Sequence, residues 1–536
     1  MSLITRGSSG DGPGVSPAPP REPRSRRRPH TAWDAVRRRA VLADRAARRH
    51  WTLTALLTAG LVLRVMTQVA YRPALIYIDT VKYVLSGWEK YDPEGYRYLL
   101  VLPVTWAGNL AVLAAVQHLL GLAMGAVIYV VLTRRGVPRW ASALAAAPVL
   151  LDGYQLQAEQ TIMPDVLFEA LIAAGLAILL WKPRPGPWLI ALASLVLGVS
   201  ATVRQVGEAL VLPACAVVVL AARGWRQRLG RGALAAVYFA MPIFAYMTYS
   251  AVVLHDHFEL SDQGDAVLYG RTAEAADCAA LRIPAYERPL CPTPREASEL
   301  GVDWLVNNRA SPVNRYSPPP GIDRLTAIKD FSYHVLEQQP LRVAGAIARD
   351  AVKLFAVTRH TDPGDTPIWR WQFQDAYPLY PPGVTIPIVE YMVGHSGGGG
   401  SPVVVRPLAA ALRDYQLGGG YTPGPYLLAA LLAGAGGILT YRRGHDATLA
   451  LAALLVTGTA VAVLLGADVY EFSWRYQLPA LVTLPAAGAL GMTAITERTR
   501  LFLAARKSRD AGSPGESRDG EQAGKPAVNT PREPWA

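Results

Sequence analysis

Charged and aromatic side chains cluster in one short segment, Tyr77 to Tyr83, which follows the first long apolar run of the chain. The segment contains Asp79 and Lys82. A carboxylate can accept a proton from a hydroxyl group while that hydroxyl attacks a carbon atom, and an adjacent ammonium group stabilises the carboxylate's charge. Asp79 is therefore a candidate catalytic base. The alternative is that Asp79 caps the short helix predicted to follow it.

Two arginines stand at the ends of later apolar runs, namely Arg204 and Arg475. A guanidinium group binds phosphate through paired hydrogen-bond donors, so both residues are predicted to bind a phosphate. The alternative is a structural salt bridge for each. Arg204 has Glu208 nearby in sequence, and Arg475 has Glu471 and Asp468.

Two acidic residues flank the short connection between the third and fourth apolar runs. Asp165 follows Pro164 at a helix start, where its charge suits the positive end of the helix dipole. Glu159 has no such role and is a candidate to bind an acceptor or a metal ion. His118 lies within an apolar run, and we interpret it as a contact between helices rather than a ligand.

Apolar residues make up 51% of the 536 residues and occur in long runs with few charges. About 20 apolar residues in a helix cross the hydrocarbon core of a bilayer, where backbone polar groups must bond internally. The sequence therefore predicts an all-α polytopic membrane protein with about ten transmembrane helices. The predicted spans are 51–70, 109–132, 140–151, 164–181, 188–203, 207–222, 233–254, 424–441, 447–466 and 476–494.

Basic residues fall mainly in alternate connections between these spans, which predicts the orientation of the chain in the membrane. Both termini are predicted to be cytoplasmic, and the net charge of +12 reflects this topology and a basic N-terminal tail rather than nucleic-acid binding. Asp79, Glu159, Arg204 and Arg475 are all predicted to lie on the extracytoplasmic side. We expect membrane lipids, and no nucleic acid, among the partners.

The spans divide the chain into predicted regions. The regions are a disordered basic tail at 1–48, a transmembrane bundle at 49–254 with a first outer loop at 71–108, a large outer loop at 255–423, transmembrane helices at 424–495 and a disordered cytoplasmic tail at 496–536. Within the large loop, 341–357 has an apolar face at helical spacing. This amphipathic helix is predicted either to lie on the bilayer surface or to pack on a subdomain of the loop.

Three cysteines occur in the chain. Cys278 and Cys291 share the large outer loop, and an extracytoplasmic loop is an oxidising environment. A disulfide between them is therefore predicted. Cys215 lies within a predicted span and is interpreted as a small apolar core residue.

The chain resembles the GT-C superfamily of integral-membrane glycosyltransferases, which includes protein O-mannosyltransferase-like, aminoarabinose-transferase-like and actinobacterial cell-wall enzymes. The order and predicted sidedness of five short segments carry the resemblance. The segments are Ile78–Tyr83, Pro93–Tyr96, Glu159–Phe168, Val203–Glu208 and Trp474–Pro479.

The resemblance implies a GT-C-like bundle with two large extracytoplasmic loops. It also implies a reaction in which a sugar moves from a polyprenyl-phosphate donor to a cell-envelope acceptor, with inversion, at the outer face of the cytoplasmic membrane. Asp79 would be the base. Arg204 and Arg475 would contact the lipid phosphate. Lys82, Tyr83, Glu159 and Tyr476 are predicted as further substrate-binding residues. Many members have an Asp-Glu pair where this chain has Asp79-Thr80, which leaves the use of a divalent metal open.

The acceptor class also stays open among glycan, lipid and protein. Two other functions are considered: a transporter or lipid flippase, and a non-catalytic membrane scaffold. A transporter predicts ionisable residues deep within several spans, whereas most charges here lie at span ends. Arg64, within the first span, is an exception to which the sequence assigns no role.

Overall fold

The computed structural model describes Arg45 and residues 48–85, 92–255, 257–261, 264–381, 383–398, 401–442 and 447–511. Two compact units divide the chain, Met1–Trp51 and Thr52–Ala536, and the description below concerns the second. The predicted tail at 1–48 lies outside the described residues except for Arg45 and Arg48. Of the predicted tail at 496–536, a helix covers the residues up to Ala511, and the remainder lies outside the described part.

Helices make up most of the regular structure in the described residues. They are α1 Trp51–Ala70, α2 Thr80–Val84, α3 Leu102–Ala107, α4 Leu110–Arg134, α5 Arg139–Leu151, α6 Gly153–Gln160, α7 Asp165–Leu180, α8 Pro187–Val203, α9 Val211–Leu220, α10 Trp225–Val252, α11 Gly264–Ala275, α12 Gly301–Asn307, α13 Pro312–Arg315, α14 Arg324–Gln338, α15 Pro340–Lys353, α16 Ile386–His395, α17 Arg406–Leu417, α18 Gly424–Ile438, α19 Thr448–Tyr470 and α20 Pro479–Ala511. Single turns of 3-10 helix occupy Arg288–Leu290 and Ile368–Trp371, a longer 3-10 stretch occupies Gln205–Leu210, and π-helical turns occupy Arg97–Val101 and Glu296–Leu300.

Five of the described helices are long and apolar enough to cross a membrane: α1, α4, α10, α19 and α20. The other predicted spans coincide with shorter helices, namely α5, α7, α8, α9 and α18. Helix α1 has one exposed face and one buried face. Leu61, Val62 and Val65 are exposed, whereas Gly60 and Arg64 are buried, so apolar side chains face outward and small or polar ones face the bundle.

Small residues allow α18 and α20 to pack backbone to backbone. A Cβ atom added at Gly491 would lie 2.0 Å from the carbonyl oxygen of Ala433, and one added at Gly437 would lie 2.4 Å from the Cα atom of Gly491. Such approaches exclude any larger side chain at these two glycines. The packing fixes α20, and with it the segment that enters α20 at Pro479.

A buried polar network joins α1 to α4, α5 and α6. Arg64 is 2% exposed and donates hydrogen bonds to Glu159 Oε1 at 2.7 Å and to the carbonyl oxygen of Leu150 at 2.8 Å. The second carboxylate oxygen of Glu159 lies 2.9 Å from His118 Nδ1. The structure thus gives Arg64 a structural role, and His118 makes the interhelical contact that its position predicts.

We expect Arg64→Met to lower the free energy of unfolding by about 3–5 kcal/mol, because it leaves the fully buried Glu159 carboxylate without its cation. Thermal and denaturant unfolding in detergent would measure the loss. Adding Glu159→Gln to Arg64→Met should restore much of the stability, since a neutral amide needs no counter-ion. Arg349→Met is the matched control, because the Arg349 side chain is 70% exposed. An unchanged midpoint for Arg64→Met would contradict this role.

Backbone pairings connect segments that are far apart in sequence. Strand β1, Tyr71–Arg72, pairs antiparallel with β2, Val403–Val404. Immediately afterwards Leu75 donates its N–H to the carbonyl of Gln160 at 2.9 Å and accepts from the N–H of Ile162 at 3.1 Å. These bonds hold the chain that leads to Asp79 beside the chain that leads to Asp165.

The helices between α10 and α18 build a second, smaller hydrophobic core. Buried side chains from α11, α12, α14 and α15 form it, including Tyr269, Leu305, Phe331 and Val343. The structure joins Cys278 to Cys291 in a disulfide beside this core. Of the two interpretations of the amphipathic segment 341–357, the contacts favour packing on a subdomain, because the apolar face of α15 enters this core.

Candidate active site

A cavity of about 530 Å³ lies where the ends of several helices meet the segment between α10 and α18. The catalytic and substrate-binding residues predicted from the sequence line this cavity, apart from Glu159. They are Asp79, Lys82, Tyr83, Arg204, Arg475 and Tyr476. Glu159 lies in the buried network with Arg64 instead. Its predicted role in substrate binding is therefore not supported, because a carboxylate that is 0% exposed and paired with a guanidinium group cannot reach a substrate in this cavity.

Asp79 stands at the N-terminal cap position of α2, but its side chain makes no capping hydrogen bond. The carboxylate is turned to two cations instead. Arg475 Nη1 donates a hydrogen bond to Asp79 Oδ2 at 3.1 Å, and Lys82 Nζ lies 3.3 Å from Oδ1. Of the two interpretations of Asp79, the contacts favour a site residue over a helix cap.

Neighbouring charges control the ionisation of Asp79. Burial raises the pKa of its carboxyl group, but the Lys82 and Arg475 charges outweigh burial and hold the pKa at about 2. Asp79 is therefore ionised at every physiological pH. Lys82 is itself shared, because its Nζ lies 2.6 Å from Asp92 Oδ2. Burial lowers the pKa of Lys82, but the charges of Asp79 and Asp92 raise it by more. The pKa of Lys82 is therefore above its ordinary value.

We expect Lys82→Gln to raise the pKa of Asp79, because loss of the neighbouring positive charge disfavours the carboxylate. The acid limb of a kcat/KM profile reports groups of the free enzyme. The wild-type profile should stay flat down to about pH 4, and the variant should lose activity at higher pH. Lys82→Arg keeps the charge and serves as the control. Coincident limbs for Lys82→Gln and wild type would contradict this electrostatic assignment.

Arg475 makes several contacts within the cavity, and its side chain is 8% exposed. Besides Asp79 it donates to the Tyr476 hydroxyl at 2.8 Å and lies 4.0 Å from Asp165. Its guanidinium group also stacks over Trp371, 4.9 Å from the ring centroid. The salt bridges considered from sequence neighbours are not the ones formed, since the partners come from distant segments.

Arg204 pairs with Asp165 rather than with Glu208. Its guanidinium group lies 4.6 Å from the ring centroid of Tyr476. Asp165 therefore contacts both arginines of the cavity, which goes beyond the helix-dipole role predicted for it. The sequence signal for this role was weak, because a Pro-Asp pair at a helix start is explained by the helix alone.

Three further residues line the cavity that the sequence analysis does not assign to a site: Asp303, Arg370 and Glu471. Glu471 is considered there only as an ion-pair partner of Arg475. Arg370 Nη1 donates to the Tyr77 hydroxyl at 3.1 Å and lies 3.9 Å from Asp303 Oδ2. Burial, with the Asp303 charge nearby, raises the pKa of Glu471 to about 8. At neutral pH Glu471 is therefore mostly protonated and able to donate a hydrogen bond. The cavity thus combines cations, carboxylates and one neutral acid.

The donor set does not fit a divalent metal ion. Asp79 and Asp165, the two carboxylates nearest the arginines, are both paired with cations. Within the described residues, no group of three or more His, Cys, Asp or Glu side chains is placed to hold a metal. The reaction below is therefore derived from the side chains alone.

No family model matches the chain, and no curated protein matches it. Two solved structures are similar to it. One is the archaeal oligosaccharyltransferase AglB from Archaeoglobus fulgidus in complex with an inhibitory peptide and a dolichol-phosphate, at 12% identity and a TM-score of 0.34; the match covers 88% of this chain and 53% of that one. The other is ArnT from Cupriavidus metallidurans bound to undecaprenyl phosphate, at 14% identity and a TM-score of 0.30, covering 86% of this chain and 81% of that one.

The chain therefore spans about half the length of the oligosaccharyltransferase that it matches. The two neighbours are members of the GT-C superfamily, which is the family that the sequence motifs resemble.

Proposed function

We propose that the protein is a membrane glycosyltransferase that moves a sugar from a polyprenyl-phosphate donor to an acceptor hydroxyl, with inversion, at the outer face of the cytoplasmic membrane. One observation carries the proposal. Asp79 and Arg475, 396 residues apart in sequence, meet with Arg204 in a cavity beside helices able to cross a membrane. A base and phosphate-binding cations at a membrane edge suit a lipid-phosphate donor.

The arginines supply the phosphate site. A sugar phosphodiester carries one negative charge, and the charge on the phosphate grows as the bond to the sugar breaks. Arg204 and Arg475 are fixed by neighbouring side chains before this charge develops, which is the arrangement that stabilises a transition state electrostatically. Apolar lining from α19, including Val463 and Ala467, offers the adjoining surface for the prenyl chain.

Asp79 serves as the base. The acceptor oxygen attacks the anomeric carbon, the bond from that carbon to the phosphate oxygen breaks with its electron pair, and the acceptor proton passes to Asp79. One displacement inverts the anomeric centre. Phosphate is already a good leaving group, so the step needs no separate acid.

Donor binding is expected to increase the basicity of Asp79. With a pKa of about 2, a carboxylate paired to Lys82 and Arg475 is a weak base. A phosphate bound to Arg475 competes with Asp79 for the same guanidinium group, which weakens the ion pair and raises the pKa of the carboxyl group. The donor would thereby activate the base that its own transfer requires.

The test uses the purified full chain in lipid nanodiscs. Undecaprenyl phosphate and undecaprenol, which lacks the phosphate, are compared as ligands by native mass spectrometry. We expect the phosphate lipid to bind in preference, and Arg204→Gln to weaken that preference. The same preparation is then given undecaprenyl-phosphate-linked, radiolabelled hexoses and pentoses with a mixture of acceptors. Equal binding of the two lipids, or no transfer from any donor, would count against the proposal.

A further inference from the structure

We propose that the acceptor is a carbohydrate, held in the cavity by Asp303 and Asn307 of α12 together with Arg370. This inference rests on the proposed function, because it concerns the second substrate of the same cavity. It chooses one of three acceptor classes that the sequence leaves open: glycan, lipid and protein.

The three side chains form one connected polar group on the cavity lining. Asn307 Nδ2 donates to Asp303 Oδ1 at 2.9 Å, while Asp303 Oδ2 lies 3.9 Å from Arg370 Nη1. Asp303 remains 41% exposed, so its carboxylate is held in position and still accessible. The group presents a carboxylate, an amide and a guanidinium, which together can accept from and donate to sugar hydroxyls.

Arg370 has hydrogen-bonding capacity left over. The Arg370 side chain is 23% exposed, and one of its five N–H donors is bonded to the Tyr77 hydroxyl. Its accessible N–H groups can donate to a substrate hydroxyl. Glu471, mostly protonated at neutral pH because burial raises its pKa to about 8, adds a further donor to the same cavity.

Aromatic rings stand beside this polar group. The Tyr77 ring lies 4.7 Å from the ring of Trp371 and 4.8 Å from that of Tyr380, centroid to centroid. Tyr77 and Trp371 both line the cavity. A small number of polar groups placed among aromatic side chains is typical of sites that recognise small ligands. A sugar ring suits such a site, because it has hydroxyl groups at its edges and apolar faces.

The other two acceptor classes fit the lining less well. An extended peptide is commonly held by the main chain of a sheet edge, and neither β1 nor β2 contributes to the cavity lining in the described residues. A lipid acceptor would present alkyl chains beside its hydroxyl group, whereas Asp303, Asn307 and Arg370 present hydrogen-bond donors and acceptors to the cavity.

The experiment compares acceptors and variants with the same nanodisc preparation. The donors are the radiolabelled undecaprenyl-phosphate sugars, and the acceptors are a panel of n-octyl glycosides, a peptide containing Ser, Thr and Asn, and a diacylglycerol. We expect transfer to at least one octyl glycoside. Asp303→Ala should raise the KM for that glycoside by about tenfold or more, since it removes hydrogen bonds to a charged group, with kcat and undecaprenyl-phosphate binding unchanged.

Two further variants separate the loss of acceptor binding from a folding defect. Asp303→Asn keeps the size of the side chain and a partner for Asn307, so it should fold normally and raise the KM. Glu299→Gln is the control, because Glu299 is 59% exposed in an ion pair with Arg295 and does not line the cavity. Transfer to the peptide or diacylglycerol but not to glycosides, or an unchanged KM in both Asp303 variants, would overturn the carbohydrate assignment while leaving the transferase proposal intact. Failure to bind undecaprenyl phosphate would instead count against the transferase proposal itself.

Discussion

Asp79→Asn is expected to lower kcat by about 10²- to 10⁴-fold, the range typical of a lost general base. The amide cannot accept the acceptor's proton, although it occupies the same space. Binding of undecaprenyl phosphate should be unchanged or stronger, because Arg475 and Lys82 lose a competing carboxylate. Radiolabelled transfer and native mass spectrometry measure the two effects separately.

A fall in the transfer rate without a fall in lipid affinity distinguishes a base from a binding group. If Asp79 mainly bound the donor, both quantities would fall in the variant. Asp362→Asn provides the matched control, because Asp362 is a half-buried carboxylate outside the cavity that pairs with His360. Undiminished transfer by Asp79→Asn would show that another group accepts the proton.

Arg475→Ala is expected to produce the second large effect, on both activity and stability. Removing one group that stabilises developing charge lowers kcat by about 10²- to 10³-fold. The same change leaves Asp79 paired with Lys82 alone and the buried Asp165 paired with Arg204 alone, and loss of a hydrogen-bond partner by buried groups costs about 1–3 kcal/mol. The midpoint of thermal unfolding and the transfer rate should therefore fall together.

Arg475→Lys separates these two contributions. Lysine retains the positive charge between Asp79 and Asp165, so most of the stability should return. It lacks the planar guanidinium group that binds phosphate through two donors and stacks over Trp371, so transfer should remain low. Full recovery of transfer in Arg475→Lys would mean that charge alone, rather than guanidinium geometry, is required at this position.

The parts of the site that the sequence predicts are those in which a charge stands at the end of an apolar run. Asp79, Arg204 and Arg475 are conspicuous for this reason, because a membrane leaves few places for an ionised side chain. The helices are also predictable from the sequence, since the length of an apolar run and the turn residues at its ends mark a helix. The ion-pair partners of Asp79, Arg204 and Arg475 are not predictable, because each pairing joins segments that are far apart in the chain.

Glu159 and Asp165 illustrate that limit. Local sequence predicts that Glu159 binds a ligand and that the charge of Asp165 serves its own helix. The fold reverses this, because Glu159 meets Arg64 across 95 residues and Asp165 meets both arginines of the cavity. Asp303 and Arg370 lie in the large loop, outside the long apolar runs. Their positions in the sequence therefore do not indicate that their side chains line the cavity.

The pairing of Asp79 with Arg475 also bears on how the protein is made. Tyr71 pairs with Val404, and Asp79 pairs with Arg475, which is 396 positions later in the chain. Neither pair can form before the later residue has been synthesised. Contacts of such high sequence separation form late in folding. During synthesis, the first half of the site emerges long before the second half exists. A nascent chain therefore carries an incomplete cavity until the helices on either side of Arg475 have been made.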